Sequence, residues 1–390
     1  MSTSGRGFTT FSSRPPRIFL TSPSPPPERT LLDLQSEGFE TTYVPYPYPA
    51  GTPIQQQTDP TKAFTTTLKN LHNTLSFGED FALIAYGAAA SIALHVAQKP
   101  LPRLVALIAY YPTVLPSPKF KYPTLMRLAV HLAGDSSPVA KPETCEWKCY
   151  LYEGILAGFA EEGRVEFEGV EAGLAFSRTL SVVRSAFKHE PDLERVVEEN
   201  WRGKYDIDVP EEGSRLAVQS MTNSSPHVTI LPTLEGGIGR KNLDEFYREF
   251  FIPSLVDDFD IRLVSRTIGV DRVVDEMVVS FTHTDDVDWI LPGVPPTDKF
   301  VEIPIVSVVA IRGGKLVSEH MYWDQASVLV QVGLLDPKMV PKRMKEDGLK
   351  RLPVTGAEAA QQLVEPRQQR YNGLLKEHGL MDALNGVNGS

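Results

Sequence analysis

The sequence predicts two domains: an α/β domain on a doubly wound, largely parallel sheet, followed by an α+β cone whose curved sheet is mostly antiparallel. Three observations carry this reading. The 390 residues exceed one typical domain. Through residue 188, short apolar runs alternate with amphipathic helical patterns, the grammar of βαβ units. Beyond residue 215, one strongly amphipathic helix is followed by four strand-like runs in succession.

Residues 1–15 read as a disordered tail. The stretch 1–27 contains no acid and is rich in Ser, Thr, Pro and Arg; with no amphipathic Arg-bearing helix to be drawn there, disorder fits it better than a transit peptide. Within 16–188 the elements run "RIFLTS", "ERTLLDLQSEG", "TTYVPY", "TKAFTTTLKNLHNTLS", "FALIAY", "AAASIALHVAQ" and "LVALIAYYP", alternately strand and helix. A further strand in "YPTLMRLAVHLAGD" and a closing helix, "AGLAFSRTLSVVRSAF", complete this domain. Residues 189–215, charged and carrying Pro191 and Pro210, are expected as a helical connector on the surface.

The second domain, 216–345, opens with "KNLDEFYREFFIPSLV", in which Leu243, Phe246, Tyr247, Phe250 and Phe251 share one helical face. The strands "DIRLVSRTIGV", "DRVVDEMVVSFTHT", "KFVEIPIVSVVAIR" and "KLVSEHMYWD" follow, the last two joined by a turn at Gly313 and Gly314. The third is apolar on both faces, as expected where helices cover a sheet that encloses a pocket or core. Residues 346–390 form a polar, partly helical extension packed on the rest.

Thirty-nine basic against 49 acidic residues give a net charge of -10. That balance repels phosphate backbones and anionic lipid heads, so neither nucleic acid nor a membrane is an expected partner. The longest apolar run, "FALIAYGAAASIALHVAQ", is shorter than the ~20 residues of a spanning helix and contains His95. Two cysteines, Cys145 and Cys149, are too few for a disulfide framework, and no His or Cys cluster beside them completes a metal site. They read as core thiols of a protein in a reducing, cytoplasmic compartment.

That apolar run is also the strand–turn–helix elbow at which many hydrolases hold a serine or cysteine nucleophile, yet its apex is Gly87. The first half resembles the dienelactone hydrolase family, an α/β-hydrolase branch with G-x-C-x-G at the elbow, a later G-x-x-D and a final His-Gly-Phe. The matching positions here are Ala85, Tyr86, Gly87, Ala88 and Ala89, then Gly134 followed at once by Asp135, then Ala157, Gly158 and Phe159. The resemblance implies an α/β-hydrolase-like fold, and the departures remove its nucleophile and its base, so the half is expected to be a noncatalytic scaffold. Ser91, with His95 four residues on, is the candidate substitute nucleophile and reads more simply as packing and surface.

The second half resembles a SnoaL-like polyketide-cyclase domain of the nuclear transport factor two-like superfamily. The resemblance lies in "DRVVDEMVVSFTHT", "DWILPGVPPT" and "SEHMYWDQASVLVQVGLLDP", and tandem proteins joining both halves resemble the whole chain. Where that tandem family tends to read P-Y-V-N-H-x-P-T-x-x-G-G, this chain has "PHVTILPTLEGG", with Thr229 and Ile230 replacing Asn and His. The resemblance implies one apolar pocket and activity as a cyclase, isomerase, dehydratase or binding module; the reading preferred below expects no metal or organic cofactor.

Candidate residues follow from strand parity. His320, Tyr322 and Asp324 share one face, and Glu319, Met321 and Trp323 the other. The first set, at ~6.6 Å steps, forms either an acid/base row or hydrogen-bonding residues that fix the sheet end. His283 carries the same two readings, while Asp285, Asp286 and Asp288 read as a solvated loop. Arg266 is an anion clamp or a surface arginine. Phe246, Tyr247, Phe250, Trp289 and Trp323, with Thr229, are the candidate pocket wall for a flat apolar substrate, most of them also fitting a plain core.

The expected function is a natural-product cyclase or isomerase acting on an apolar polyketide or terpenoid intermediate. It includes a Diels–Alder-type closure by conformational templating, for which preorganised geometry supplies ~7–11 kcal/mol. The alternatives are a lactone or ester hydrolase with a non-standard nucleophile and a noncatalytic ligand-binding module. A small hydrophobic substrate and a second copy of the chain are the expected partners.

Overall fold

A computed structural model describes residues 14–23, 25–48, 59–134, 145–366 and 371–377. Asp135 and nearly all of the expected tail lie outside the described residues. The chain divides into two units between Pro191 and Asp192.

In the first unit, strands β1 (Arg17–Thr21), β2 (Glu40–Tyr43), β3 (Phe81–Tyr86), β4 (Leu104–Tyr110), β5 (Arg127–Ala133) and β6 (Lys148–Tyr152) form one sheet. Its order is β2-β1-β3-β4-β5-β6, with every pair parallel. Helices α1 (Glu28–Ser36), α2 (Pro60–Asn70), α3 (Gly87–Val96) and α4 (Gly169–Phe187) complete the βαβ pattern. All six residues of β3 are buried, as in a parallel strand covered on both faces. Edge strand β6 was not among the expected elements, because "KCYLY" starts with a lysine and buries only its last residue fully.

Register sets Tyr86 beside Tyr110, Tyr110 beside His131, and His131 beside Tyr150. Their rings stack at centroid distances of 4.7, 4.5 and 5.3 Å, and the Arg178 guanidinium of α4 caps Tyr150 at 4.3 Å. His131 sits between Tyr152 Oη, 2.9 Å from Nδ1, and Thr179 Oγ1, 3.3 Å from Nε2. Burial, aided by Arg178, pushes its pKa down to about 3, so the imidazole is neutral. Cys145 and Cys149 are half-buried thiols not joined in a disulfide, and burial with the neighbouring Cys145 pushes Cys149 up to about 12.

The second unit opens with α5 (Leu193–Tyr205) and α6 (Pro210–Gln219). Helix α5 and the start of α6 lie in the expected surface connector, 189–215, and its surface placement fails: Leu193, Val196 and Val197 are buried in the hydrophobic core of this unit, as are Ala217 and Val218 where α6 runs beyond it. The charges of "ERVVEEN" occupy only the outer face of an amphipathic helix. Strands β7 (His227–Ile230), β8 (Glu235–Ile238), β9 (Asp260–Ile268), β10 (Arg272–Thr282), β11 (Phe300–Arg312) and β12 (Lys315–Tyr322) follow the order β8-β7-β12-β11-β10-β9. Pairing is antiparallel except between β7 and β12.

Between β8 and β9 the expected single amphipathic helix is three pieces. Helix α7 (Arg240–Phe246) runs into a π-helical turn, Tyr247–Phe251, and then a 3₁₀ turn, Ile252–Ser254. Strands β10 and β11 bury alternate residues, so the interior face carries Val273, Asp275, Met277, Val279 and Phe281 opposite Val301, Ile303, Ile305, Ser307, Val309 and Ile311. The other face of β11, expected to be equally buried, is half-exposed and meets α8 (Gln325–Gln331) and α9 (Glu358–Val364). Gly313 and Gly314 have φ of 56° and 69°, the left-handed pair that a two-residue hairpin turn requires. Among the described residues no helix is long and apolar enough to cross a membrane.

Candidate functional site

A polar row crosses the interior face of the second sheet. In register, Arg266 of β9 lies beside Asp275 of β10, and Asp275 beside Ser307 of β11. Glu319 of β12 lies beside Val309, one step along. Helix α5 brings Lys204 onto this row, with Nζ 2.8 Å from each carboxylate oxygen of Glu319, while Ser307 Oγ donates to Glu319 Oε1 at 3.0 Å. Both ion-pair side chains are 1% exposed. Arg266 grips Asp275 with two bonds, Nε to Oδ1 at 2.7 Å and Nη2 to Oδ2 at 2.9 Å, and reaches Glu194 of α5 at 3.2 Å. Buried charges in this geometry are retained because each satisfies the other.

Beside the row lies an aromatic compartment. Ring centroids step from Tyr247 to Phe251 (5.7 Å), to Trp289 (4.9 Å) and to Trp323 (5.7 Å), with Phe259 packed on both Trp289 and Phe281. The Trp323 indole donates to Gln325 Oε1 at 2.7 Å. The Tyr247 hydroxyl and Trp289 Nε1 are buried with no hydrogen-bond partner. An unsatisfied buried donor costs about 1–3 kcal/mol, so two in one compartment call for a physical reason. Tyr247 belongs to the π-helical turn, an irregularity found frequently at functional sites. Burial, with Glu319 and Tyr205 nearby, holds its pKa well above the ordinary phenol value, so the hydroxyl is protonated at neutral pH and can only donate or accept a hydrogen bond. Tyr205 is raised likewise by burial and by Glu319 and Asp275.

The sequence-derived candidates are distributed unevenly about this interior. Phe246, Tyr247 and Trp289 are buried in it, and Trp323 packs against it. His283 continues the inward parity of β10 and is fully buried, with Nδ1 3.0 Å from Thr297 Oγ1 and no partner for Nε2. Burial lowers its pKa against the opposing pull of Asp286 and Asp298, leaving a neutral imidazole.

Six candidate residues need correcting. The row His320, Tyr322 and Asp324 lies on the outer face of the sheet, because Glu319 and Met321 take the interior one. Tyr322 is exposed, and Asp324 is the N-cap of α8, accepting from Ala326 N at 3.0 Å and Ser327 Oγ at 2.6 Å. Thr229 is outward too, since Val228 and Ile230 are the buried residues of β7. Phe250 is 52% exposed, turned out by the wider π-turn. Arg266 is no free anion clamp, its guanidinium being committed to Asp275. Lys204, Glu319, Ser307 and Asp275 were not anticipated, although an acid at the parity of Met321 and Trp323 in "SEHMYWD" was a readable sign of a buried carboxylate.

The elbow of the first unit holds no nucleophile. Gly87 has φ of 54°, and a Cβ there would lie 3.4 Å from Pro23 Cγ. Ser91 Oγ is engaged by Gly87 O (3.4 Å), Thr113 Oγ1 (3.0 Å) and Val114 N (2.9 Å), and His95 is exposed. Beside Pro23, Ser22 donates to the buried carboxylate of Glu161 at 3.0 Å, which also accepts from Tyr111 (2.6 Å) and Arg164 (3.2 Å). Among the described residues no group of three or more His, Cys, Asp or Glu is disposed to hold a metal ion.

No protein-family model and no curated protein matches the chain. Among solved structures it is similar to a putative dienelactone hydrolase from Klebsiella pneumoniae, at 14% identity and a TM-score of 0.35, over 45% of this chain and 89% of that one. It is also similar to a putative SnoaL-like polyketide cyclase from Jannaschia sp., at 15% identity and a TM-score of 0.31, over 37% of this chain and 94% of that one. A protein with a ketosteroid isomerase-like fold from Catenulispora acidiphila matches at 16% identity and 0.28, over 37% and 95%. The class of protein rests on topology alone: an α/β unit on a six-stranded parallel sheet, followed by an α+β unit on a six-stranded mixed sheet with helices packed on it.

Proposed function

We propose that the second unit is a natural-product cyclase or isomerase that holds an apolar polyketide or terpenoid intermediate in the aromatic compartment beside Tyr247 and Trp289. The observation that carries this reading is the pair of buried donors without partners. A substrate carbonyl accepting from the protonated Tyr247 hydroxyl and from Trp289 Nε1 relieves both, and its body replaces ring–ring contacts with apolar burial worth about 25 cal/mol per Å².

Two donors on a carbonyl withdraw electron density from a conjugated enone. That polarisation favours an intramolecular ring closure, and the aromatic walls hold the flexible chain in a reactive conformer. Lys204 and Glu319 satisfy each other, so proton shuttling is not assigned to them, and templated closure of the Diels–Alder type is the preferred chemistry. The Tyr247 hydroxyl and Trp289 Nε1 are closed off from solvent, so admission of substrate requires the packing around them to open.

The same mutual satisfaction of Lys204 and Glu319 favours a second reading, a binding module without turnover. Incubation in deuterated water with the metabolite that accumulates on gene deletion separates the cases. A new ring without deuterium supports templated closure, deuterium on the new skeleton supports acid/base isomerisation, and a ligand recovered unchanged supports binding alone.

A further inference from the structure

A cleft of about 520 Å³ lies in the first unit, far along the sheet from the elbow in topological terms. The elbow follows the C-terminal end of β3, whereas this cleft is built on the N-terminal ends of β5 and β6, where Arg127 and Lys148 stand, together with the 121–126 loop and one side of α4. Ligands of open α/β sheets ordinarily bind beyond the carboxyl ends of the strands, so nothing in the fold's usual plan accounts for it.

Its chemistry is specific. Lys121, Arg127 and Lys148 line it against one acid, Glu146, in a chain whose net charge is -10. All three cations are exposed, and none takes part in an ion pair among the described residues. Ser181 and Ser185, one helical turn apart on α4, add two hydroxyls, while Met126 and Val182 supply apolar wall. Trp147 also lines the cleft; it is 6% exposed, and its indole Nε1 is buried with no hydrogen-bond partner. Lys148 Nζ also lies 5.5 Å from the Tyr150 ring centroid, and three cations without a carboxylate partner on an acidic protein, together with hydroxyls, an unsatisfied indole donor and an apolar wall, match one ligand chemistry.

We infer that this cleft binds a small organic anion, a carboxylate or phosphate head on a flat apolar body, with the head among Lys121, Arg127 and Lys148 and the body against Trp147. Charge-assisted contacts to the head supply orientation, and the ring wall supplies burial. Every lining residue belongs to the first unit, so the inference does not depend on the function read for the second.

The test is calorimetric titration of the full chain with 2-naphthoate, 2-naphthyl phosphate, inorganic phosphate and the neutral 2-naphthol. Both aryl anions are expected to bind in competition with each other, more weakly at high salt, and 2-naphthol is expected not to compete. The double charge reversal Lys121→Glu/Arg127→Glu, on exposed side chains that leave the core intact, is expected to weaken naphthoate binding at least about tenfold, the worth of one charge-assisted contact. Trp147→Phe is expected to weaken it severalfold, and Tyr247→Phe in the cone to leave it unchanged. A preference for the naphthyl phosphate over the carboxylate, or the reverse, names the head group. No heat from either aryl anion at millimolar concentration, or naphthoate affinity unchanged in the charge-reversed chain, overturns the inference.

Discussion

Lys204→Met removes the cation that satisfies Glu319 and leaves the carboxylate in a site where its side chain is 1% exposed. Only Ser307 Oγ, at 3.0 Å, remains as a donor among the contacts described above. Breaking a buried pair from one side costs about 3–5 kcal/mol, whereas replacing both partners by apolar residues is about neutral or stabilising by a few kcal/mol. The double variant Lys204→Met/Glu319→Leu is therefore expected to recover most or all of the loss. Urea unfolding followed by tryptophan fluorescence reads this unit well, since Trp201, Trp289 and Trp323 lie in it and only Trp147 in the other. With a urea dependence of about 1–3 kcal/mol per M, the single variant should lower the midpoint by on the order of 2 M. A single variant within experimental error of the parent, or a double variant as unstable as the single, refutes the view that the ion pair is what keeps these two charges in the interior.

Three further outcomes follow from named contacts. His131, neutral and pushed to about 3 in the fold against about 6.5 when unfolded, binds its proton more readily in the unfolded chain; stability should be full above pH 6.5 and fall as pH drops toward 3, by up to about 5 kcal/mol. A His131→Phe variant should lose that acid limb of the stability curve, as pH-dependent unfolding monitored by circular dichroism will read. Asp324→Ala removes the cap of α8 and should cost about 1 kcal/mol in thermal unfolding, with turnover retained because the side chain faces away from the cone interior. Gly87→Ser places a side chain at φ of 54° and should destabilise the first unit by about 1 kcal/mol without creating activity on activated esters, a point checked by nitrophenyl ester assays.

Much of the fold was legible because it is written in local periodicity. The run "FALIAY", six apolar or aromatic residues between turn signals, has the length of a strand covered on both faces, and the Gly313–Gly314 pair between apolar runs favours a tight hairpin. What escaped was written nonlocally. Strands β7 and β8 are four residues each and are held by pairing with β12 and with each other, so "HVTI" and "EGGI" lack the length that announces a strand. Helices α5 and α6 were mistaken for surface because their charged outer faces dominate the composition. The site divides the same way. The burial of Tyr247 and Trp289 was readable from their apolar setting, whereas Lys204 and Glu319 meet across 115 residues of sequence, and no spacing rule pairs them. Strand parity named two faces of "SEHMYWD" without saying which looks inward; that depends on the register of β12 against β11 and its shift at Ala310/Ile311.

Reactivity in the cone rather than at the elbow is tested most directly by comparing single-turnover rates of the parent, Tyr247→Phe and Ser91→Ala chains on the metabolite that accumulates when the gene is deleted. Loss of a preorganised donor to a developing oxyanion costs about 10²–10³ in rate, the upper bound for an electrocyclic or cycloaddition step with less charge development. The expected result is a large rate loss in Tyr247→Phe with its fold intact, beside a Ser91→Ala chain at the parent's rate. An unimpaired Tyr247→Phe chain, or an acyl group covalently attached to the first unit, contradicts the account.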